Sequence, residues 1–329
     1  MRCVNDPASE TPDEALKRRL AGHPTAAGVA FGLTAAVLYT ATNVFLRYPI
    51  VAETDPMWRG AIKEIPILVL IAPWMIVRAV RGQHVLLEPK AMVALLIGAS
   101  LTQFGGNTLF LYSLDILGIA LAVPLTLGAI LVGGATFGRI FLGEPVTRRA
   151  TTAIGVLLAA IALLGVGAYQ VGGGGAAATE GVTPWQLTLG IAANLTAGFC
   201  FSTLGVSIRY GVRGEAPIST TTVIVGAMGV FGLGFVCLAR FGPQELAQTD
   251  PHAAGMILLA GVCNAAAFLA ITRTFQLIRV VYVNALNGSQ AAMAAIAGIV
   301  IFHEPVAGAT IAGVLLTILG LSVMCGKND

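Results

Sequence analysis

Charged residues are scarce in this sequence. They make up only 11% of its 329 residues, whereas an ordinary soluble domain contains roughly 25%. Hydrophobic residues make up 56%, which is more apolar surface than a soluble fold of this size could bury, so the surrounding solvent must be lipid. The net charge of +3 is also too small to indicate nucleic acid as a partner.

The residues that build catalytic and metal sites are scarce as well. The four histidines and five cysteines are scattered, and the cysteines lack the spacing of metal ligands. The chain has no P-loop, and the glycine run that begins at Gly172 is not followed by Lys-Ser or Lys-Thr. We therefore predict neither an enzyme nor an ATP-driven pump, and no cofactor or metal.

Apolar segments recur along the chain, each close to the roughly 20 residues that a membrane-spanning helix needs. Ten of them can be counted, at 25–47, 57–79, 90–113, 117–141, 147–169, 186–208, 217–239, 253–273, 280–302 and 306–325. The sequence therefore predicts an all-α membrane protein with ten transmembrane helices.

The two halves of the chain repeat each other. Residues 124–144 and 284–304 share glycines at matching positions and the same Glu-Pro-Val ending, at a spacing of 160 residues. Because each half has an odd number of helices, five, the second copy is predicted to be inverted relative to the first, as in secondary transporters. The predicted division is a cytoplasmic N-terminal segment 1–22, a first repeat 23–170, a glycine-rich linker 171–184 and a second repeat 185–326.

Lysine and arginine are distributed unequally between the two sides of the predicted membrane. With the N-terminus in the cytoplasm, most of them fall on inside segments, and only Arg47, Arg59 and Arg240 fall on the outside. Cytoplasmic loops carry such an excess. We therefore predict a multi-pass protein of the inner (plasma) membrane with both termini in the cytoplasm.

Polar side chains inside the predicted helices are the candidate substrate-binding residues, because in lipid such groups usually face a cavity or another helix. They are Tyr39, Asn43, Lys63, Gln103, Asn107, Asn194, Asn264, Asn284, Asn287 and Gln290. Amides both donate and accept hydrogen bonds, which suits an uncharged or zwitterionic solute. The alternative is hydrogen bonding between helices, worth about 0.6 kcal/mol for each contact.

The second predicted helix carries Arg59, Lys63 and Glu64. Arg59 and Lys63 are four residues apart, and like charges on one helical face are unfavourable unless an anion lies opposite. One interpretation is a face that binds a carboxylate or phosphate of the substrate. The other is that Lys63 extends to the membrane surface or pairs with Glu64. Glu64 could also carry a coupling proton.

The repeated glutamates, Glu144 and Glu304, are not interpreted as a catalytic pair, because inversion places them on opposite faces of the membrane. A Glu-Pro corner before an apolar run predicts a helix start, with proline at the first position and the acid at the positive end of the helix dipole.

The ninth helix is more polar than its counterpart, the fourth. It has Asn284, Asn287 and Gln290 where the fourth helix has Pro124 and two apolar residues. The substrate is therefore predicted to contact the ninth helix.

The repeat resembles a known family. Its motif residues are Pro124, Gly128, Gly138, Gly143, Glu144 and Gly155, with a degraded copy that ends in Phe302, His303, Glu304 and Gly313. This pattern resembles two EamA domains of the drug/metabolite transporter superfamily, over residues 25–325. The resemblance implies alternating access to a cavity lined by helices one to four and six to nine, with the fifth and tenth peripheral. It also implies export more often than uptake.

The predicted function is a secondary active transporter that exports a small polar metabolite, an amino acid or a related organic anion. The alternative is a non-transporting receptor or structural membrane protein, in which the polar residues pair with one another in a dry helix bundle. The predicted partners are a small-molecule solute, the lipid bilayer and a coupling proton, with a homodimer as a further option.

Overall fold

The computed structural model describes residues 25–46, 48, 54–83, 85, 87–117, 119–170, 183–212, 218–302 and 306–325. Within these residues the chain is helical and contains no strand. Ten helices follow in order: α1 (Ala26–Leu46), α2 (Pro56–Val80), α3 (Pro89–Ser100, Leu101–Asn107 and Thr108–Leu117), α4 (Ile119–Leu142), α5 (Arg148–Gln170), α6 (Pro184–Val212), α7 (Ile218–Ala227, Met228–Leu233 and Gly234–Ala247), α8 (Pro251–Leu277), α9 (Val280–Gly288 and Gln290–Phe302) and α10 (Gly308–Cys325).

The lengths and compositions of these helices confirm the all-α membrane fold. Nine described helices are long and apolar enough to cross a membrane, and α10 is a shorter apolar helix. Their ends agree with the predicted spans to within a few residues, except at the longer C-termini of α3, α6, α7 and α8. Predicted starts also have clear causes: Asp55 and Asp250 cap the first N–H groups of α2 and α8, and each precedes a proline. The linker 171–184 lies mostly outside the described residues.

Two helices change to π-helical geometry in their middle. In α3 the π-helical segment is Leu101–Asn107, and in α7 it is Met228–Leu233. The two segments contact each other. Because π-helical turns inside α-helices occur frequently at functional sites, this contact marks a place to look for one.

The helices pack into two bundles that combine elements of both halves. The α6 bundle consists of α6 lying along α3 and α4, and the α1 bundle consists of α1 lying along α8 and α9. Small residues permit the close approach: a Cβ at Gly198 would clash with Ala129, and one at Gly32 would lie 2.6 Å from Leu286. Helices α5 and α10 pack against each other.

The Glu144–Pro145 corner differs from its prediction. Helix α5 begins at Arg148 rather than at the proline, and the hydroxyl of Thr147 accepts the N–H of Ala150 at 3.2 Å. Glu144 instead accepts the backbone N–H of Val280, at the start of α9, at 2.9 Å. The predicted start of α5 at Pro145 is therefore wrong, because the acid caps a helix that is distant in sequence. The copy at Glu304 lies outside the described residues.

Candidate functional site

Glu64 on α2 is the most buried acidic side chain near the middle of the described helices, with 4% of its surface exposed. The Nζ atom of Lys63 lies 3.3 Å from its Oε1. The side-chain amide of Asn264 on α8 lies 3.5 Å from both carboxylate oxygens. A buried carboxylate needs such partners. The structure therefore contains the Lys63–Glu64 pair, which was the interpretation given as the alternative to an anion-binding face.

Glu64 and Gln103 meet at Gly229, in the π-helical segment of α7. A Cβ at Gly229 would lie 2.5 Å from Cγ of Glu64 and 2.9 Å from Nε2 of Gln103. Gln103, in the π-helical segment of α3, donates to the carbonyl of Val225 at 3.2 Å and accepts a hydrogen bond from Asn107. Helices α2, α3, α7 and α8 thus converge on one polar cluster, and Gly229 is a member that sequence reasoning missed.

Helix α1 reaches the same place, because the hydroxyl of Thr42 donates to the carbonyl of Ala260 on α8 at 3.2 Å, one turn before Asn264. Gly32, Ala36, Tyr39 and Asn43 share one face of α1, because they follow a helical spacing. Gly32 lies against Leu286 of α9, so this face points towards the protein. Along the face Gly32 and Ala36 are buried, Tyr39 is half-buried and Asn43 is exposed. Exposure of this face therefore increases from Gly32 to Asn43.

The matching position on α6 is buried. At the repeat spacing of 162 residues, Gly205 corresponds to Asn43. Gly205 is buried, and a Cβ there would lie 3.0 Å from the ring of Phe275 on α8. The two matching positions of the repeat therefore differ in burial: Asn43 is exposed and Gly205 is enclosed between α6 and α8.

On α9 the three polar residues differ in their surroundings. Residues 280–292 are buried, except that Asn287 is half-buried. Asn287 accepts a hydrogen bond from the side chain of Gln290. Asn284 is buried and donates to the carbonyl of Ile130 on α4 at 3.2 Å. Asn287 is therefore the accessible residue of the three, whereas Asn284 joins two helices.

Asn194 belongs to a separate polar cluster. It is completely buried, with 0% of its surface exposed. Its amide donates to the hydroxyl of Ser113 at 2.7 Å and accepts from the hydroxyl of Thr126 at 3.0 Å. These bonds connect α6 to α3 and α4, which is the interhelical role weighed as the alternative to substrate binding.

A buried ion pair lies at the end of the molecule where α4 and α6 terminate. Nε of Arg209 donates to Oε1 of Glu144 at 3.0 Å, and Arg209 is only 1% exposed. Sequence reasoning counted Arg209 as an inside positive charge and missed this pair. The signal available was that Arg47 and Arg209, like Glu144 and Glu304, occupy matching places in the two repeats.

The polar cluster around Glu64 offers one carboxylate, one ammonium group, a phenol and several amides. Such groups can hold a solute by reversible hydrogen bonds and ion pairing. Among the described residues, no three of His, Cys, Asp and Glu are close enough to hold a metal ion.

Comparisons with known proteins agree with this geometry. Residues 188–326 match the model of the EamA-like transporter family, which belongs to the drug/metabolite transporter superfamily. No curated protein matches the chain. A protein of known crystal structure superposes with a TM-score of 0.70, covering 90% of this chain and 97% of that one, at 18% sequence identity. At that identity the likeness shows a shared fold, and its coverage includes both halves of the chain.

Proposed function

We propose that this membrane protein, whose residues 188–326 match the model of the EamA-like transporter family, is a secondary active transporter. It moves a small polar metabolite across the membrane by alternating access between the α1 and α6 bundles. The inverted repeat supports this mechanism, since exchange of two related packings is how such repeats expose a central site to either side.

The observation that carries the proposal is the buried Glu64 where five helices meet. A charged side chain at the middle of a membrane helix costs about 2.5–3.5 kcal/mol by insertion measurements, and such residues usually serve transport paths. Here Glu64 lies beside two π-helical segments, against Gly229 of α7 and near Gln103 of α3. A dry structural bundle would have no need of a buried carboxylate at this place.

The charges of the site favour a zwitterion. Lys63 and Glu64 already neutralise each other at 3.3 Å. A solute with both an ammonium and a carboxylate group replaces that pair without leaving either charge unopposed, whereas a simple anion would leave Glu64 unpaired. An amino acid therefore fits better than a plain organic anion.

We assign the candidate residues to two groups. The cavity group consists of residues that are accessible or that contact Glu64: Tyr39, Asn43, Lys63, Asn107, Asn264 and Asn287. The helix-joining group consists of residues whose amides bond to another helix: Gln103, Asn194 and Asn284. Gln290 stands apart, because it donates to Asn287 within α9, and it is proposed to position Asn287. The first group is proposed to contact solute, and the second to hold the helices around it.

The direction and setting of transport are further parts of the proposal. The excess of Lys and Arg on inside segments supports an inner membrane location with both termini in the cytoplasm. Export follows the tendency of the family. Glu64 is the proposed carrier of a coupling proton, because it is the buried carboxylate at the site. A homodimer stays a prediction from the sequence.

The test is solute exchange in proteoliposomes containing the purified protein. Vesicles loaded with each unlabelled amino acid are mixed with the same labelled amino acid, and uptake by exchange is measured. Asn107→Leu and Asn287→Leu should each reduce exchange about tenfold, the cost of one lost hydrogen bond to a charged solute group. Thr203→Leu is the control, since Thr203 is half-buried on α6 and its hydroxyl donates within its own helix to the carbonyl of Phe199.

Two results would reject the proposal. If wild-type protein binds a solute but exchanges none, the receptor alternative is correct. If both asparagine variants fold and exchange at the wild-type rate, the cavity lies elsewhere.

A further inference from the structure

One end of the molecule is held by contacts around Glu144. This Glu144 end is where α4 and α6 terminate and where α8 passes into α9. Oε1 of Glu144 accepts from Arg209, and Oε2 accepts the backbone N–H of Val280 at 2.9 Å. A single carboxylate therefore joins α4 to α6 and to the first turn of α9.

Two further hydrogen bonds join the α6 bundle to the α1 bundle at the Glu144 end. Nη1 of Arg209 donates to the carbonyl of Phe275, the last-turn residue of α8. Nη1 of Arg279 donates to the carbonyl of Pro145 at 2.9 Å. Glu144, Pro145 and Arg209 belong to the α6 bundle and its adjoining corner, and the groups they meet belong to the junction of α8 and α9 in the α1 bundle.

We propose that these contacts form a latch that closes one end of the transport path and is released in each transport cycle. The latch is defined as Glu144, Arg209 and Arg279 with the backbone groups of Pro145, Phe275 and Val280. This inference rests on the proposed function, because a latch between the bundles has a purpose only if they move.

A difference in burial between matching positions of the repeat supports this role. Phe275, whose carbonyl binds Arg209, also places its ring against Gly205. The same residue thus packs in the seam between α6 and α8 and is held by the latch. Asn43, which corresponds to Gly205 in the repeat, is exposed. Of these two matching positions, the one beside the latch is the enclosed one.

Charged groups are suited to a reversible closure. Inside a water-poor seam the carboxylate and guanidinium bind strongly to each other and to backbone dipoles. When the seam opens, water solvates both charges and offsets the lost contacts. A latch of this kind is therefore stable both when the seam is closed and when it is open. An ion pair that served only folding would stay formed throughout.

A nearby arginine provides a matched control. The side chain of Arg149 donates to the carbonyl of Val323 and joins α5 to α10. It lies five residues after Glu144 in the sequence, and this bond joins two helices outside the latch. Replacing Arg149 removes a similar charged contact while all six groups that define the latch are kept.

The experiment measures cysteine labelling of purified protein in detergent, in a background whose five native cysteines are replaced by alanine. Gly205→Cys reports the closed end, with the ring of Phe275 kept in place, and Asn43→Cys reports the open end. Adding Glu144→Gln should speed maleimide labelling at position 205 about tenfold and slow labelling at position 43, because the bundles shift towards the opposite opening. Arg279→Gln should act in the same direction more weakly, and Arg149→Gln should change neither rate.

Opposite changes at the two reporters are the expected result, and they need no knowledge of the solute. Equal acceleration at both positions would show that the ion pair only stabilises the fold, and unchanged rates would show that nothing is latched. Either outcome overturns the latch while leaving solute exchange by the wild type intact. If Glu144→Gln does not fold, the decision rests on Arg279→Gln, which leaves the Glu144–Arg209 pair in place.

Discussion

Gly134 of α4 leaves the space that the side-chain amide of Asn284 occupies. A Cβ at Gly134 would clash with Nδ2 of Asn284, which donates instead to the carbonyl of Ile130 one turn earlier on α4. Asn284 of α9 can therefore occupy its buried position only because Gly134 of α4 has no side chain. The structure thus shows which group uses the space beside Gly134.

Gly134→Ala is predicted to destabilise the protein by about 1–3 kcal/mol, because the added methyl group forces α4 and α9 apart or breaks the Asn284 bond. The measurement is the melting temperature of purified protein in detergent. Gly155→Ala on α5 is the control, since a Cβ there meets nothing within 4 Å. That variant should be neutral or slightly stabilising, because alanine favours a helix over glycine. Equal melting temperatures for the two variants would contradict the assigned contact.

Glu64→Gln is predicted to abolish the dependence of solute exchange on protons, because glutamine cannot carry the coupling proton. It should also reduce the rate of solute exchange at least about tenfold, because the charge opposite Lys63 and the solute ammonium is lost. Glutamine keeps the shape, so the melting temperature should change little. Glu88→Gln is the matched control: Glu88 is exposed at the start of α3 and makes no side-chain cap. Exchange by Glu64→Gln at the Glu88→Gln rate would remove Glu64 from the site.

Gly229→Ala should impair transport more than stability. The new Cβ would press on Glu64 and Gln103 at 2.5 and 2.9 Å, so one of these side chains must move. We expect a severalfold weaker apparent affinity for solute in exchange assays, with the protein still folded. Gly234→Ala, in the same helix, meets nothing within 4 Å and should behave as wild type. A normal apparent affinity in Gly229→Ala would mean that the cluster is not part of the binding site.

Asn194→Leu separates a helix-joining residue from a cavity residue. It leaves the hydroxyls of Ser113 and Thr126 without their amide partner, at a cost of about 0.6–1.7 kcal/mol in membrane proteins. The melting temperature should fall by a few degrees, while the solute affinity of the remaining folded protein stays unchanged. A weakened affinity at an unchanged melting temperature would instead return Asn194 to the cavity group.

Much of the candidate site was predictable as a set of residues but not as an arrangement. Asn107, Asn264 and Gln103 stand out in the sequence because amides are rare in apolar helices. Their partners lie far away in the chain: Asn264 meets Glu64 across 200 residues, and Gln103 meets Val225 across 122. No spacing rule reaches that far, so the sequence could not decide which amide faces solute and which joins helices.

The Glu144–Pro145 corner shows the same limit. Its residues predict a cap at a positive helix end, and the structure contains one, but at Val280 of α9 rather than in α5. The residue type predicts that the carboxylate will accept N–H groups at a helix start. Tertiary packing determines which helix provides those N–H groups. The same applies to Arg209, which is a routine positive charge in the sequence and a buried partner in the fold.

The sequence alone determined the membrane, the ten helices and the repeat, because apolar length, helix capping and positive charge act within about twenty residues. Tertiary structure alone decided that Glu64 is the centre of the polar cluster, that Asn194 and Asn284 are engaged with neighbouring helices, and that Glu144 joins α4 to α6 and α9. These outcomes depend on which side chains meet between helices, and in lipid that is set by close packing and hydrogen-bond geometry rather than by the hydrophobic pattern.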